Sequence, residues 1–150
     1  PSTGLHTNGY SLARKVLLTN YKVNDFVDEL DCSISDALLA IHKSYLHVLD
    51  GVLEKDWLRG ISHITGGGIV SNTKRILEKN QNMDLNWDAW KRPALFNLIQ
   101  ELGNVPEDDL RQSMNLGIGL ILVVRPEGLN ECLAHLNGLK ETYYELGKVT

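Results

Sequence analysis

The sequence predicts an α+β domain, helices packed on a modest mixed β-sheet, and three observations carry that expectation. Segments with a 3.6-residue apolar period hold roughly twice as many residues as strand-like ones. The run Gly117 to Val124 is almost continuously apolar and of strand length, the pattern of a central strand buried on both faces. The chain has 150 residues, 43% hydrophobic and 23% charged, which suits one domain over residues 1–150 with a core of its own.

Taken in order, Leu12, Ala13, Val16 and Leu17 recur on one face and predict a helix from Asn8 to about Asn20. Tyr21 to Cys32 is acidic and irregular. Ser33-Ile34-Ser35-Asp36 has the spacing of a capping box and predicts a short helix through Leu39. Tyr45, Val48, Leu49, Val52 and Leu53 make a second stripe between Ser44 and Lys55, with an extended start left open. Leu58 to Ile64 reads as a strand, and Ile69 to Leu77 as a helix after the glycine triplet. Met83 to Trp87 reads as a short strand. Pro93 opens a helix (Leu95, Phe96, Ile99, Leu102) that stops at Gly103. Pro106 opens another to about Met114, whose acidic start Glu107-Asp108-Asp109 suits the positive helix end and reads as a solvated first turn. Pro126 to Leu139 is expected to be helical with Leu129, Cys132, Leu133 and Leu136 inward, and Thr142 to Val149 to be a final strand.

The net charge is −4 and the basic residues are scattered, so no broad basic surface for nucleic acid is expected. No run of about 18 apolar residues and no signal-type start occur, so a cytoplasmic protein without a membrane span is expected. The two cysteines, Cys32 and Cys132, read as free thiols of a reducing compartment. They and the five histidines show no metal-ligand spacing, so no metal site is expected, and His42, His47 and His135 read as surface or packing residues. The chain starts at Pro1 inside a loop that resembles a site, which leads us to expect a piece of a longer protein.

Two polar-glycine clusters concentrate the chemistry. In Gly4-Leu5-His6-Thr7-Asn8-Gly9-Tyr10-Ser11-Leu12, the side chains of His6, Thr7, Asn8 and Ser11 crowd one loop and helical turn. In His63-Ile64-Thr65-Gly66-Gly67-Gly68, a strand delivers a histidine and three glycines to a helix start. Backbone N–H groups at helix starts favour anions, so a phosphorylated or carboxylate-bearing ligand is expected. A tight turn alone would explain the triplet as well. Neither cluster is a P-loop or G-x-G-x-x-G. His6 and His63 are expected to face one cleft as general acid or base, and the alternative is that each serves a local backbone group. Asn115-Leu116-Gly117-Ile118-Gly119 puts glycines at a strand entry, where they signal close approach of another group. Trp57, Trp87 and Trp90 read as core or interface anchors, ligand stacking being the alternative.

GLHTNGYSLARKVL (Gly4 to Leu17), HITGGGIVSNTKRIL (His63 to Leu77) and NLGIGLILVV (Asn115 to Val124), in this order, resemble the C-terminal domain of the phosphoribosylformylglycinamidine cyclo-ligase (aminoimidazole ribonucleotide synthetase) family. The likeness runs over the whole chain. It implies ATP-dependent ring closure of formylglycinamidine ribonucleotide to aminoimidazole ribonucleotide in purine biosynthesis, ATP activating the formyl oxygen as a phosphate ester before a nitrogen attacks. It implies His6 and His63 as catalytic residues and Asn8, Gly9, Ser11, Thr65, Gly66, Gly67 and Gly68 as substrate-binding ones. It further implies ATP and Mg2+ held mainly by an N-terminal domain absent from this chain, a homodimer, and no turnover by this chain alone. One departure is His42-Lys43 before Ser44-Tyr45, where the family usually has Pro-Thr, so the local backbone is expected to differ there. The alternatives are a relative of the same two-domain architecture (thiamine-monophosphate kinase, selenophosphate synthetase or the hydrogenase-maturation type) and a non-catalytic binding or assembly module.

Overall fold

A computed structural model describes residues 1–150. In chain order it contains α1 (Tyr10–Asn20), β1 (Phe26–Val27), a 3₁₀ turn (Asp28–Leu30), β2 (Cys32–Ser33), α2 (Ile34–Leu39), α3 (Leu46–Leu49), β3 (Leu58–His63) and α4 (Gly68–Lys74). There follow β4 (Met83–Leu85), α5 (Ala94–Gly103), α6 (Glu107–Ser113), β5 (Leu120–Val124), a 3₁₀ turn (Pro126–Gly128), α7 (Leu129–Gly138) and β6 (Gly147–Val149). The α+β class is as expected. The strands, however, do not form one mixed sheet but three separate antiparallel pairs, β1–β2, β3–β5 and β4–β6.

Helices carry the core because their apolar stripes meet each other. Ala13, Val16 and Leu17 of α1 face α5, which contributes Leu95, Phe96, Leu98 and Ile99. Ala13, Leu17 and these four α5 residues, with Ile64, Ile69, Leu110, Met114 and others, form a cluster of 17 buried residues, each large aliphatic or aromatic side chain stabilising the fold by about 1.5–3 kcal/mol. Ser33 caps α2, its Oγ accepting from Asp36 N at 3.1 Å. A smaller cluster of Val48, Val52, Trp57, Cys132 and Leu136 seats α7. Both cysteines are free thiols, and no helix is long and apolar enough to cross a membrane.

Several expectations shorten. The helix sought between Ser44 and Lys55 is the single turn α3, because Gly51 at φ 73° reverses the chain after it. The strand expected over Thr142 to Val149 shrinks to β6, and Leu129, expected inward, is 38% exposed. β5 is half-buried along its length rather than buried on both faces. Its hydrogen-bonded neighbour is β3, and its residues line an apolar groove of about 530 Å³ with α7 and the β4–β6 pair. The continuous apolar run thus reflects a strand facing that groove, not two covering layers. Glu107, read as solvated, is a hub: it accepts from Arg92, from Gln100 Nε2 at 2.8 Å and from Arg111 Nε at 2.7 Å. The Arg92 hydrogen bonds, first among these, hold its carboxyl down at about 2.

Candidate functional site

The β3–β5 ladder fixes the site. Its register places His63 opposite Leu120 and carries the chain on through Ile64, whose N–H donates to Gly119 O at 2.9 Å. Ile64 is fully buried, so the strand end is rigid while His63 projects into solvent. The loop before α1 is held as firmly. Leu5 is buried, and Asn115, with no exposed surface, donates from Nδ2 to Gly4 O at 2.8 Å and to Leu5 O at 3.1 Å. Asn115 Oδ1 accepts from Ser2 Oγ and from Gly117 N, each at 2.8 Å. One buried amide therefore ties the first polar cluster to the entry of β5. The sequence offered a signal for it, since Asn115 is the sole polar side chain from Met114 to Val124, but its role went unread.

Between these supports His6 is bent into an unusual conformation. His6 and Thr7 have φ of 50° and 67°, a left-handed geometry that costs about 1–2 kcal/mol per residue outside glycine. Thr7 Oγ1 and Asn8 Nδ2 both donate to His6 O, which helps hold the turn. Strain kept by surrounding contacts is a mark of functional loops.

His6 is 4% exposed. Its Nε2 lies 3.0 Å from Thr3 N and 2.9 Å from Thr3 Oγ1, while Nδ1 is buried without a partner. His42 stacks on His6 with ring centroids 3.9 Å apart and planes at 17°, and His42 Nε2 sits 3.2 Å from His63 Nε2. Tyr45 presents its ring edge to His6 and to His63, each at 6.2 Å between centroids. Gly119 makes this possible: a Cβ there would lie 1.9 Å from Tyr45 Oη and 3.1 Å from His6 Cε1. The close approach expected at this glycine is made by these two side chains.

His6 and His63 therefore do converge, through His42, with one ring nitrogen of each of the three within 4.8 Å of the others. His42 is exposed, as expected of a surface residue, but sequence spacing carries no sign of the three-histidine grouping. His42 lies in an extended segment after α2 that returns alongside the first loop. His47 and His135 stay outside the group. His47 Nε2 pairs with Glu141 at 2.6 Å, and His135 Nε2 meets Val48 O at 2.9 Å.

The second cluster meets the first at Gly66, where a Cβ would stand 3.7 Å from Asn8 Oδ1. Its members divide into two kinds. Thr65 Oγ1 donates to Asn72 Oδ1 at 3.0 Å, and Asn72 Nδ2 donates to Gly68 O at 2.7 Å and reaches the Thr65 and Gly66 carbonyls. Thr65, expected to offer its hydroxyl to a ligand, spends that proton on the brace. Gly68 is buried against α6, so it too is a packing residue, whereas Gly66 is exposed and Gly67 half-buried. Gly9 is the residue before α1, and Ser11 is exposed on the first turn. Asn72 and Asn115 are the buried polar supports that the sequence reading missed.

Burial, reinforced by the neighbouring His42, His63, chain terminus and Lys43, pushes His6 down to about 4. The folded protein thus binds the His6 proton more weakly than the unfolded chain, whose imidazole titrates near 6.5. Between those values the unfolded state holds more protons, so stability falls as pH drops from about 6.5 to about 4 and is fully present above that window. We expect His6 to cost up to about 3 kcal/mol across it, on the order of 1.36 kcal/mol per pH unit. Urea unfolding at pH 7 and pH 4.5 checks this, and a His6→Gln variant should show a shallower decline.

The groove beside β5 reaches Tyr45, Lys43 and Glu141 but includes neither His6, His63 nor the glycine loop. Its lining is mostly apolar, and the titratable groups that could do chemistry lie outside it, at the histidines.

All 150 residues match the family described as AIR synthase related protein, C-terminal domain. The chain is 41% identical over 150 residues to a protein named phosphoribosylformylglycinamidine cyclo-ligase from Thermoanaerobacter sp. (strain X514), covering 99% of this chain and 44% of that protein. Proteins of the same name from Syntrophotalea carbinolica (39% over 150 residues, 99% of this chain and 43% of that protein) and Myxococcus xanthus (41% over 151 residues, 99% and 44%) are also similar. The chain spans less than half the length of these curated relatives.

Proposed function

This chain belongs to the family of AIR synthase related C-terminal domains, and from that premise we propose that it is the substrate-side domain of an ATP-dependent phosphoribosylformylglycinamidine cyclo-ligase. The observation that carries the reading is the junction of the two polar clusters, His6 beside His63 through His42, and Asn8 against Gly66. Where they meet, ring nitrogens suited to carrying protons stand beside glycine backbone, as a substrate with a ribose phosphate and a closing ring requires.

ATP supplies the phosphoryl group that activates the formyl oxygen. The chain's own histidine cluster has no carboxylate to hold Mg2+, which prefers oxygen ligands, so ATP with its Mg2+ is assigned to a further domain of the same protein. Leu39, Ile41 and Leu46, 76%, 88% and 77% exposed, flank His42 in one segment, a surface suited to being covered by such a domain. His63, exposed at the strand end, carries the proton lost by the attacking nitrogen. His6, kept neutral well below pH 7, acts as a fixed hydrogen-bonding group. Asn8 and the N–H groups of Gly66 and Gly67 face the phosphate. We place the protein in the cytoplasm as a homodimer on the same reading.

Gly66→Asp tests the anion assignment. The new Cβ meets ordinary contact distance, so folding should be retained, but a carboxylate would enter the cleft opposite Asn8. Calorimetric titration of the protein that carries this chain should show formylglycinamidine ribonucleotide bound at least about tenfold more weakly, the effect of roughly 1.4 kcal/mol. Unchanged affinity would assign the glycine loop to an interface and favour a binding or assembly module.

A further inference from the structure

We propose that His6, His42 and His63 form a three-histidine site for a divalent transition metal of the zinc, cobalt, nickel class, a site distinct from the Mg2+ that accompanies ATP. The inference goes beyond the cyclo-ligase reading, since it concerns metal binding and holds whatever reaction the protein performs.

Geometry leads the argument. Two imidazole nitrogens on one tetrahedral ion, each about 2.0–2.1 Å from it, lie about 3.3 Å apart. His42 Nε2 and His63 Nε2 already stand at 3.2 Å. The third nitrogen is within 4.8 Å of both, so closure needs a shift of roughly 1.5 Å to reach the same spacing. His42 and His63 are exposed and free to rotate, whereas His6 is locked. Binding would turn the His42 ring out of its stack on His6.

A second observation points the same way. His6 Nδ1 is buried without a hydrogen-bond partner, and such atoms in a folded protein call for an explanation such as an ion. His6 Nε2 accepts from Thr3 N–H at 3.0 Å, which fixes the ring so that Nδ1 is the nitrogen left without a partner.

The donor set selects the metal. Three neutral imidazoles without a carboxylate suit zinc, cobalt, nickel and copper and disfavour magnesium and calcium. The nearby cation Lys43 is paired with Glu141 Oε2 at 2.6 Å, which reduces repulsion of an incoming ion. Three protein ligands leave a fourth position for water or a substrate oxygen.

The test uses the protein that carries this chain, stripped with chelator and titrated with Co2+. We expect one equivalent per chain to give the intense visible absorption of four-coordinate cobalt, displaced by Zn2+. His42→Gln should weaken Zn2+ binding at least about 100-fold, beyond the 10–100-fold typical of losing an outer-shell partner. His47→Gln should bind within threefold of the parent, and thermal melts in chelator check that both variants fold. Because the readout is cobalt absorption and zinc affinity, it is independent of turnover, and an inactive protein that binds one Co2+ would sustain the site while sinking the cyclo-ligase reading. A parent protein with no saturable visible band, or a His42→Gln variant that binds Zn2+ as tightly as the parent, would overturn the proposal.

Discussion

Gly68→Ala should lower the thermal midpoint by at least about 10 °C or prevent folding altogether. Gly68 opens α4 at φ 68°, and a Cβ there would lie 1.8 Å from Arg111 O and 3.0 Å from Arg111 C. Both obstacles are backbone of α6, so no side-chain rotation relieves the clash. The two helices would have to separate, exposing Ile69, Leu110 and Met114, which are fully buried at that contact. Left-handed geometry adds about 1–2 kcal/mol for alanine, and displaced core packing adds about 2–5 kcal/mol. Against a total stability of about 5–15 kcal/mol for a domain, the sum removes a large share, and each kcal/mol moves the midpoint of a chain this size by roughly 2–4 °C. Gly138→Ala is the contrast: nothing lies within 4 Å of its Cβ position at the end of α7, so that variant should be neutral or stabilised by about 0.4–1 kcal/mol. Differential scanning calorimetry of the three proteins checks the order.

On the proposed cyclo-ligase reading, His63→Asn should reduce kcat of the protein that carries this chain by about 10²–10⁴-fold, the range in which a positioned proton carrier acts, with its thermal midpoint within a degree or so. The separation of effects follows from position. His63 is exposed at the end of β3, so its ring contributes little to packing. His6→Asn should lower both, because His6 is 4% exposed and wedged beside Tyr45 and Gly119. His47→Gln should change neither, since His47 pairs with Glu141 away from the cluster. A His63→Asn enzyme with ordinary kcat would remove His63 from the reaction.

How much of this was legible in the sequence depends on whether the determining contact is local. α1, α2, α5 and α6 were readable because apolar period and caps lie within one segment, as with Leu95, Phe96 and Ile99 after Pro93, or Ser33 before Asp36. Strand pairing was not: β4 and β6 are separated by three helices and a strand, and nothing local says that Met83 opposes Val149. The glycine triplet shows the same limit. Its composition suggested an anion cradle, yet Gly68 serves the approach of α6, a partner more than 40 residues away. His6 and His63 could be paired as candidates because each sits in a conspicuous polar-glycine loop. His42 could not, since it stands among Leu39, Ile41 and Leu46 in a stretch with helix-like composition, and only the reversal of the chain after α2 brings it between the other two. His42, which stands where the sequence departs from the Pro-Thr pair of the family it resembles, completes the histidine cluster.

The measurement that bears most directly on the account is steady-state conversion of formylglycinamidine ribonucleotide with ATP and Mg2+, comparing the 150-residue chain alone with the same chain joined to an N-terminal domain of the family. The account predicts aminoimidazole ribonucleotide from the joined protein and none from the chain alone. Turnover by the isolated chain would contradict the division of labour, and no product from a folded joined protein would contradict the cyclo-ligase assignment itself.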